Sequence, residues 1–149
     1  MIQIVKDTRP WCFLQTTHST YGMRVMETGH LEHLYYGERI TVDTQDSAFC
    51  APLVIQRAFA PGNTCTYDRE HPQISMEDVC LEVGTLGKGD IREPFLEVRF
   101  TDGSVTSDFT FDSYEVITLK EREQCLQASG LPRSYSEAET ASAECLQII

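Results

Sequence analysis

Two short stretches hold residue types that do chemistry in other proteins. His30-Leu31-Glu32-His33 brings two imidazoles and a carboxylate together, the donor types of a zinc site. Gly84, Gly87 and Gly89 precede Asp90 and Arg92, and closely spaced glycines can turn backbone N–H groups towards a phosphate. The 23 acidic side chains supply many carboxyl pairs, the raw material of general acid and base catalysis. Retaining hydrolysis needs two carboxyls about 5–5.5 Å apart across the scissile bond, and spacing alone selects no such pair.

The elements that carry these residues decide among the readings. Trp11 to Thr17, Tyr21 to Met26 and Leu31 to Tyr36 are rich in aromatic and β-branched residues and are divided by polar turns, which predicts an antiparallel meander. Gly29 is expected at positive φ in the connection through Glu27 and Thr28. On a strand, residues three apart face opposite ways, so His30 and His33 cannot share one ion and read as structural histidines. The glycines are followed by Pro94 and a strand pattern rather than by a helix, so a nucleotide is not expected. They permit tight turns, with Asp90 and Arg92 tying the loop down by charge-assisted hydrogen bonds. The alternative is that the fixed loop shapes a pocket wall or a subunit contact.

From Thr41 to Asp78 the alternation fades among Pro52, Pro61, Gly62, Asn63 and Pro72. Long irregular excursions of this kind are usually functional, which makes this one the leading candidate for partner or substrate contact. Strands are expected again over Val79–Val83 and Phe95–Phe100, the latter with Leu96, Val98 and Phe100 on a buried face and Glu97 and Arg99 on a wet one. Thr101-Asp102-Gly103 predicts a hairpin turn into a long strand from Val105 to Ile117, bent near Asp112. Leu119 to Ala128 has helix-forming composition, ended by Gly130 and Pro132, and at most a short helical turn is expected there. The turn signals give eight to ten strands by the usual spacing: an all-β antiparallel sandwich. Trp11, Tyr35 and Tyr36 fill its core or stack on a sugar, according to their exposure.

With 149 residues, 41% hydrophobic and 23% charged, the chain suits one globular domain. Its net charge of −11 repels phosphate backbones and anionic headgroups, which argues against nucleic-acid and membrane partners. The N-terminal apolar run is too short for a signal-peptide core, no stretch approaches membrane-spanning length, and cytoplasmic residence is the simplest expectation. Six cysteines without a Cys-x-x-Cys pair read as reduced, largely buried small hydrophobes.

The block from Leu81 to Pro94, Leu-Glu-Val-Gly-Thr-Leu-Gly-Lys-Gly-Asp-Ile-Arg-Glu-Pro, resembles a signature in the N-terminal β-domain of family 36 glycoside hydrolases, the microbial α-galactosidases and related enzymes. Other stretches follow in the family's order: Phe13 to Thr16, Ser19 to Tyr21, Gly29 to Gly37 with its His-Leu-Tyr-Tyr-Gly ending, Arg57-Ala58-Phe59, Asp102-Gly103-Ser104, Leu131-Pro132, and Glu144 to Ile148. The resemblance implies a galactose-mutarotase-like supersandwich of which residues 1–149 form the first part, truncated at its C-terminal end, with an unpaired terminal strand at Cys145–Ile149.

It further implies a parent enzyme that removes terminal α-galactose from melibiose- or raffinose-type oligosaccharides. Two aspartates of a (β/α)8 barrel would act without metal or organic cofactor, leaving no catalytic residue and no activity in this chain. The implied partners are the α-galactoside, the enzyme's own barrel and further subunits, a tetramer in the parent. An acidic residue before Arg-Ala-Phe reaches the sugar pocket in the family; here that position is Gln56, followed by Arg57, so hydrogen bonding is kept and charge is lost. A stand-alone sugar-binding or assembly module is the alternative.

Overall fold

The computed structural model describes residues 1–54, 66–90, 93–118 and 144–149. It is all-β, built on an antiparallel sheet of β1 (Ile2–Val5), β2 (Trp11–Gln15), β3 (Ser19–Val25) and β4 (Leu31–Glu38), paired in sequence order. The three expected meander strands are present within two residues of their sequence-based bounds, and β1 joins them in register with β2 from Ile2 opposite Leu14 to Val5 opposite Trp11. Gly29 connects β3 to β4 at φ 86°. A bulge at Gly22/Met23 shifts the β3–β4 register. A Cβ on Gly22 would lie 2.9 Å from the Phe13 ring, so the absent side chain is what lets that ring lie across β3.

Both faces of the sheet are buried at its centre. Val5 and Phe13 form one core with Val42 and Cys50, and Trp11, Ile40, Phe49 and Leu53 pack against it. Cys12, Met23 and Val25, on the opposite face by register, are also buried. The start of the Thr41–Asp78 excursion is therefore core rather than free loop. It folds into a 3-10 segment, Ser47–Leu53, whose first turn is capped by the Asp46 carboxylate accepting from the Ala48 N–H at 2.9 Å. A polar staple sets where it leaves the sheet: the Gln15 amide donates to the Ile40 carbonyl at 2.6 Å and to the buried Thr20 hydroxyl at 3.1 Å. Thr20 also accepts from the Ile40 N–H. Both polar groups are thus satisfied, by each other and by the Ile40 backbone.

The later strands depart from the sequence-based expectations. Val79–Val83 forms one bridge, Leu81 to Glu32, with backbone bonds from His33 to Cys80 and from Glu82 to Leu31 along the edge of β4. Phe95–Phe100 is not a strand, and its expected buried face is open, with Leu96 40% and Phe100 46% exposed. The Asp-Gly turn is present, closed by bonds between Phe100 and both Gly103 and Ser104, but no strands flank it. Of the long strand from Val105, only β7 (Tyr114–Thr118) forms, because the Asp112 and Ser113 N–H groups turn to the Ile149 carbonyl. The terminal strand is not unpaired: β8 (Glu144–Ile148) runs antiparallel to β7, with Val116 opposite Leu146. The helical pattern at Leu119–Ala128 lies outside the described residues.

Candidate functional site: the pinned glycine loop

The glycine block begins as a tight turn. Thr85 and Lys88 exchange both backbone hydrogen bonds, at 3.3 and 3.0 Å, and Gly87 takes φ 81° at the third position, as a type II turn requires. The turn is framed by two minimal strands, β5 (Thr85–Leu86) and β6 (Gly89–Asp90). Thr85 is buried and its hydroxyl donates to the Ser107 carbonyl at 2.5 Å. No helix follows the glycines within the described residues, so the arrangement lacks the dipole and N–H array that hold a phosphate.

Two polar clusters pin this block to the sheet. Upstream, Glu82 accepts from the Tyr21 hydroxyl at 2.5 Å and meets the His33 ring at 3.1 Å. Burial, then the hydrogen bond and charge of Glu82, raise the Tyr21 pKa, so the phenol remains a donor. Downstream, the Lys88 ammonium lies 3.6 Å from Asp108 and 4.6 Å from the centre of the Tyr67 ring. Asp108 also accepts from the Tyr67 hydroxyl at 3.0 Å and sits 2.7 Å from His30 Nε2. Burial alone would raise the Asp108 pKa, but hydrogen bonds from His30 and Tyr67, with the charges of His30 and Lys88, hold it below the usual carboxylate value. An ionised Asp108 makes Nε2 of His30 the donor, and Nδ1 lies 2.9 Å from the Thr28 hydroxyl. His30 is only 3% exposed, and Tyr67 meets it edge-on with centroids 5.0 Å apart.

The cluster at Asp108 therefore joins four distant pieces of chain: the β3–β4 turn, the end of the excursion, the glycine turn and the segment before β7. Next to it, Asp68 accepts from the backbone of Glu70 and His71 and from the His71 ring, a local turn that holds Tyr67 in place. His30 and His33 share no partner and belong to different clusters. What the arrangement does chemically is hold a loop still.

Of the site residues taken from the sequence, Gln56, Arg57 and Arg92 lie outside the described residues, as does the side chain of Asp90. The ties found in the structure come from Glu82 and Lys88, both inside the recognised block but not singled out there. Their partners had no local signal, since Asp108 stands 78 positions from His30. The aromatics divide: Trp11 packs in the core beneath Arg24, whose guanidinium is 5.3 Å from the ring, and Tyr35 is half-buried. Tyr36 is 73% exposed beside Tyr21, with ring centroids 6.0 Å apart.

These features define a β-sandwich domain built around a fixed loop, and relatives with the same fold identify its family. The model of the glycosyl hydrolase family 36 N-terminal domain matches residues 29–149. The bifunctional α-galactosidase/sucrose kinase AgaSK of Mediterraneibacter gnavus is 34% identical over 138 residues, covering 91% of this chain and 13% of that protein. The α-galactosidase AgaA of Geobacillus stearothermophilus is 29% identical over 136 residues, covering 91% of this chain and 17% of that one.

Among solved structures, the galactosidase domain of AgaSK is similar over 97% of this chain and 18% of its own, with TM-score 0.71 and 28% identity. The α-galactosidase from Lactobacillus brevis is similar over 76% of this chain and 14% of its own, with TM-score 0.64 and 30% identity. The chain belongs to glycoside hydrolase family 36, as its N-terminal domain. It spans less than a fifth of the relatives it matches.

Proposed function

We propose that this domain serves an α-galactosidase of the retaining type, which removes terminal α-galactosyl groups from melibiose- or raffinose-like oligosaccharides. The observation that carries the reading is the family 36 N-terminal match over residues 29–149, supported by two α-galactosidase relatives that each cover 91% of the chain. In this reading residues 1–149 are one domain, truncated at its C-terminal end. They supply no catalytic group, support the barrel, contribute to a homo-oligomer such as a tetramer, and narrow the entrance to the sugar pocket. Gln56 and Arg57 would face the substrate, and Asp90 and Arg92 would fix the glycine loop together with Glu82 and Lys88. Cytoplasmic residence fits Cys12, Cys50 and Cys80, which are free thiols. No described helix is long and apolar enough to cross a membrane.

A second reading, a non-catalytic sugar-binding module, is favoured by Tyr36, an exposed ring beside the Tyr21–Glu82 pair of the kind that stacks on a pyranose. Galactose release from melibiose separates the two. The 149-residue chain alone should be inactive and the protein encoded by the whole reading frame active. Inactivity of both, with melibiose binding lost in Tyr36→Ala, would favour the module.

A further inference from the structure

The turn after Phe100 holds the only Asp-Gly pair in the sequence, Asp102-Gly103. Such a pair can react with itself. A bond forms between the Gly103 nitrogen and Cγ of Asp102; the nitrogen gives up its proton and the protonated carboxyl its hydroxyl, which leave together as water. Water then opens the succinimide at either carbonyl. Attack at Cγ restores aspartate. Attack at the main-chain carbonyl of Asp102 leaves the chain running through Cβ and Cγ, an isoaspartate whose former main-chain carbonyl carbon is the free carboxylate. Glycine is the follower least able to hinder the ring, since it has no Cβ, and a Cβ placed on Gly103 would meet nothing within 4 Å. Thr101, Asp102, Gly103 and Ser104 are all exposed.

The folded turn withholds both reacting groups. The Gly103 N–H donates to the Phe100 carbonyl at 3.0 Å, so the nucleophile is engaged in closing the turn itself. Asp102 Oδ1 accepts from the Ser104 N–H at 2.9 Å and from the Ser104 hydroxyl at 2.7 Å, an Asx turn with a second clasp. Those bonds, the backbone one first, hold the Asp102 carboxyl below the usual carboxylate range and favour the ionised form, which has no hydroxyl to lose. We propose that Asp102-Gly103 is a site of spontaneous isoaspartate formation that this turn holds closed while the domain is folded, with the Ser104 hydroxyl as one of its fasteners. It is independent of the reaction assigned above. The site lies where a change of backbone length matters. Just beyond it, the Ser107 carbonyl accepts from Thr85 and Asp108 meets Lys88, so a methylene inserted at residue 102 shifts the segment that pins the glycine loop.

Incubation of the full chain for weeks at neutral pH and body temperature tests the site. The product is counted by methylation with an isoaspartate-specific methyltransferase and located by peptide mass spectrometry. Residue 102 of the native chain should convert about tenfold more slowly, or slower still, than in the same chain unfolded in urea, where both hydrogen-bonded groups are released. Ser104→Ala should convert about threefold faster than wild type or more, the worth of one such bond. Ser104→Thr, which keeps the hydroxyl, should match wild type. The Ser104 side chain is exposed, so far-UV circular dichroism should show both variants folded. Equal rates in the native and urea-unfolded chains would overturn the proposal. So would a folded Ser104→Ala no faster than wild type, or a Ser104→Thr as fast as Ser104→Ala.

Discussion

Asp108 joins four separate parts of the described chain, and its ionisation gives the fold a pH signature. Its folded pKa lies below the ordinary value of 3.8. The stability it lends is therefore complete above about pH 4 and is lost as the pH falls through the lower folded value. Wild-type protein should lose more of its melting temperature between about pH 5 and about pH 3 than Asp108→Asn, in which that proton is never taken up. Equal acid sensitivity of the two would contradict the role given to Asp108. The three described cysteines divide as clearly. Burial pushes the Cys12 thiol up to about 11, and burial with the charges of Asp7 and Asp46 pushes Cys50 up to about 11, whereas Cys80 is exposed. Iodoacetamide at neutral pH, read by peptide mass spectrometry, should modify Cys80 and spare Cys12 and Cys50 in the native chain. The sequence made the glycine block conspicuous but pointed to Asp90 and Arg92 as its ties. Lys88 and Glu82 were in view without their partners, because contacts to Asp108 and Tyr21 arise only from the tertiary fold.

The strands divide into those whose cover is present and those whose cover is not. β2, β3 and β4 were legible because alternating residues bury on both sides of the sheet, against Val42 and Cys50 on one face. β1 was missed, since the charged residues after Val5 hid a four-residue strand. The excursion read as loop because a 3-10 segment around Pro52 has neither helical nor strand periodicity, yet it closes one core. Phe95–Phe100 failed in the opposite sense: its pattern demands a partner, and the described domain does not provide one. At the bulge, the packing of Phe13 over Gly22 makes a direct prediction. Gly22→Val should destabilise the domain by about 1–3 kcal/mol, as overpacking of a filled core does, measured by urea unfolding. A change below about 0.5 kcal/mol, the range of ordinary surface substitutions, would show that the ring is free to move.

The domain as a whole holds a glycine loop rigidly at one end of its main sheet and presents apolar residues beyond it, with Phe95 77% and Phe109 48% exposed. Exposed apolar surface next to a fixed loop is expected where a domain meets a larger body, and the family 36 relatives carry this domain as 13% and 17% of their length. As proposed above, the domain serves an α-galactosidase whose chemistry resides in a barrel. The most direct test is the nucleotide sequence of the natural transcript past the codon for Ile149. A reading frame that completes the sandwich and then encodes a (β/α)8 barrel is the expected result. A stop codon directly after Ile149 would contradict the claim and leave a binding or assembly module in its place.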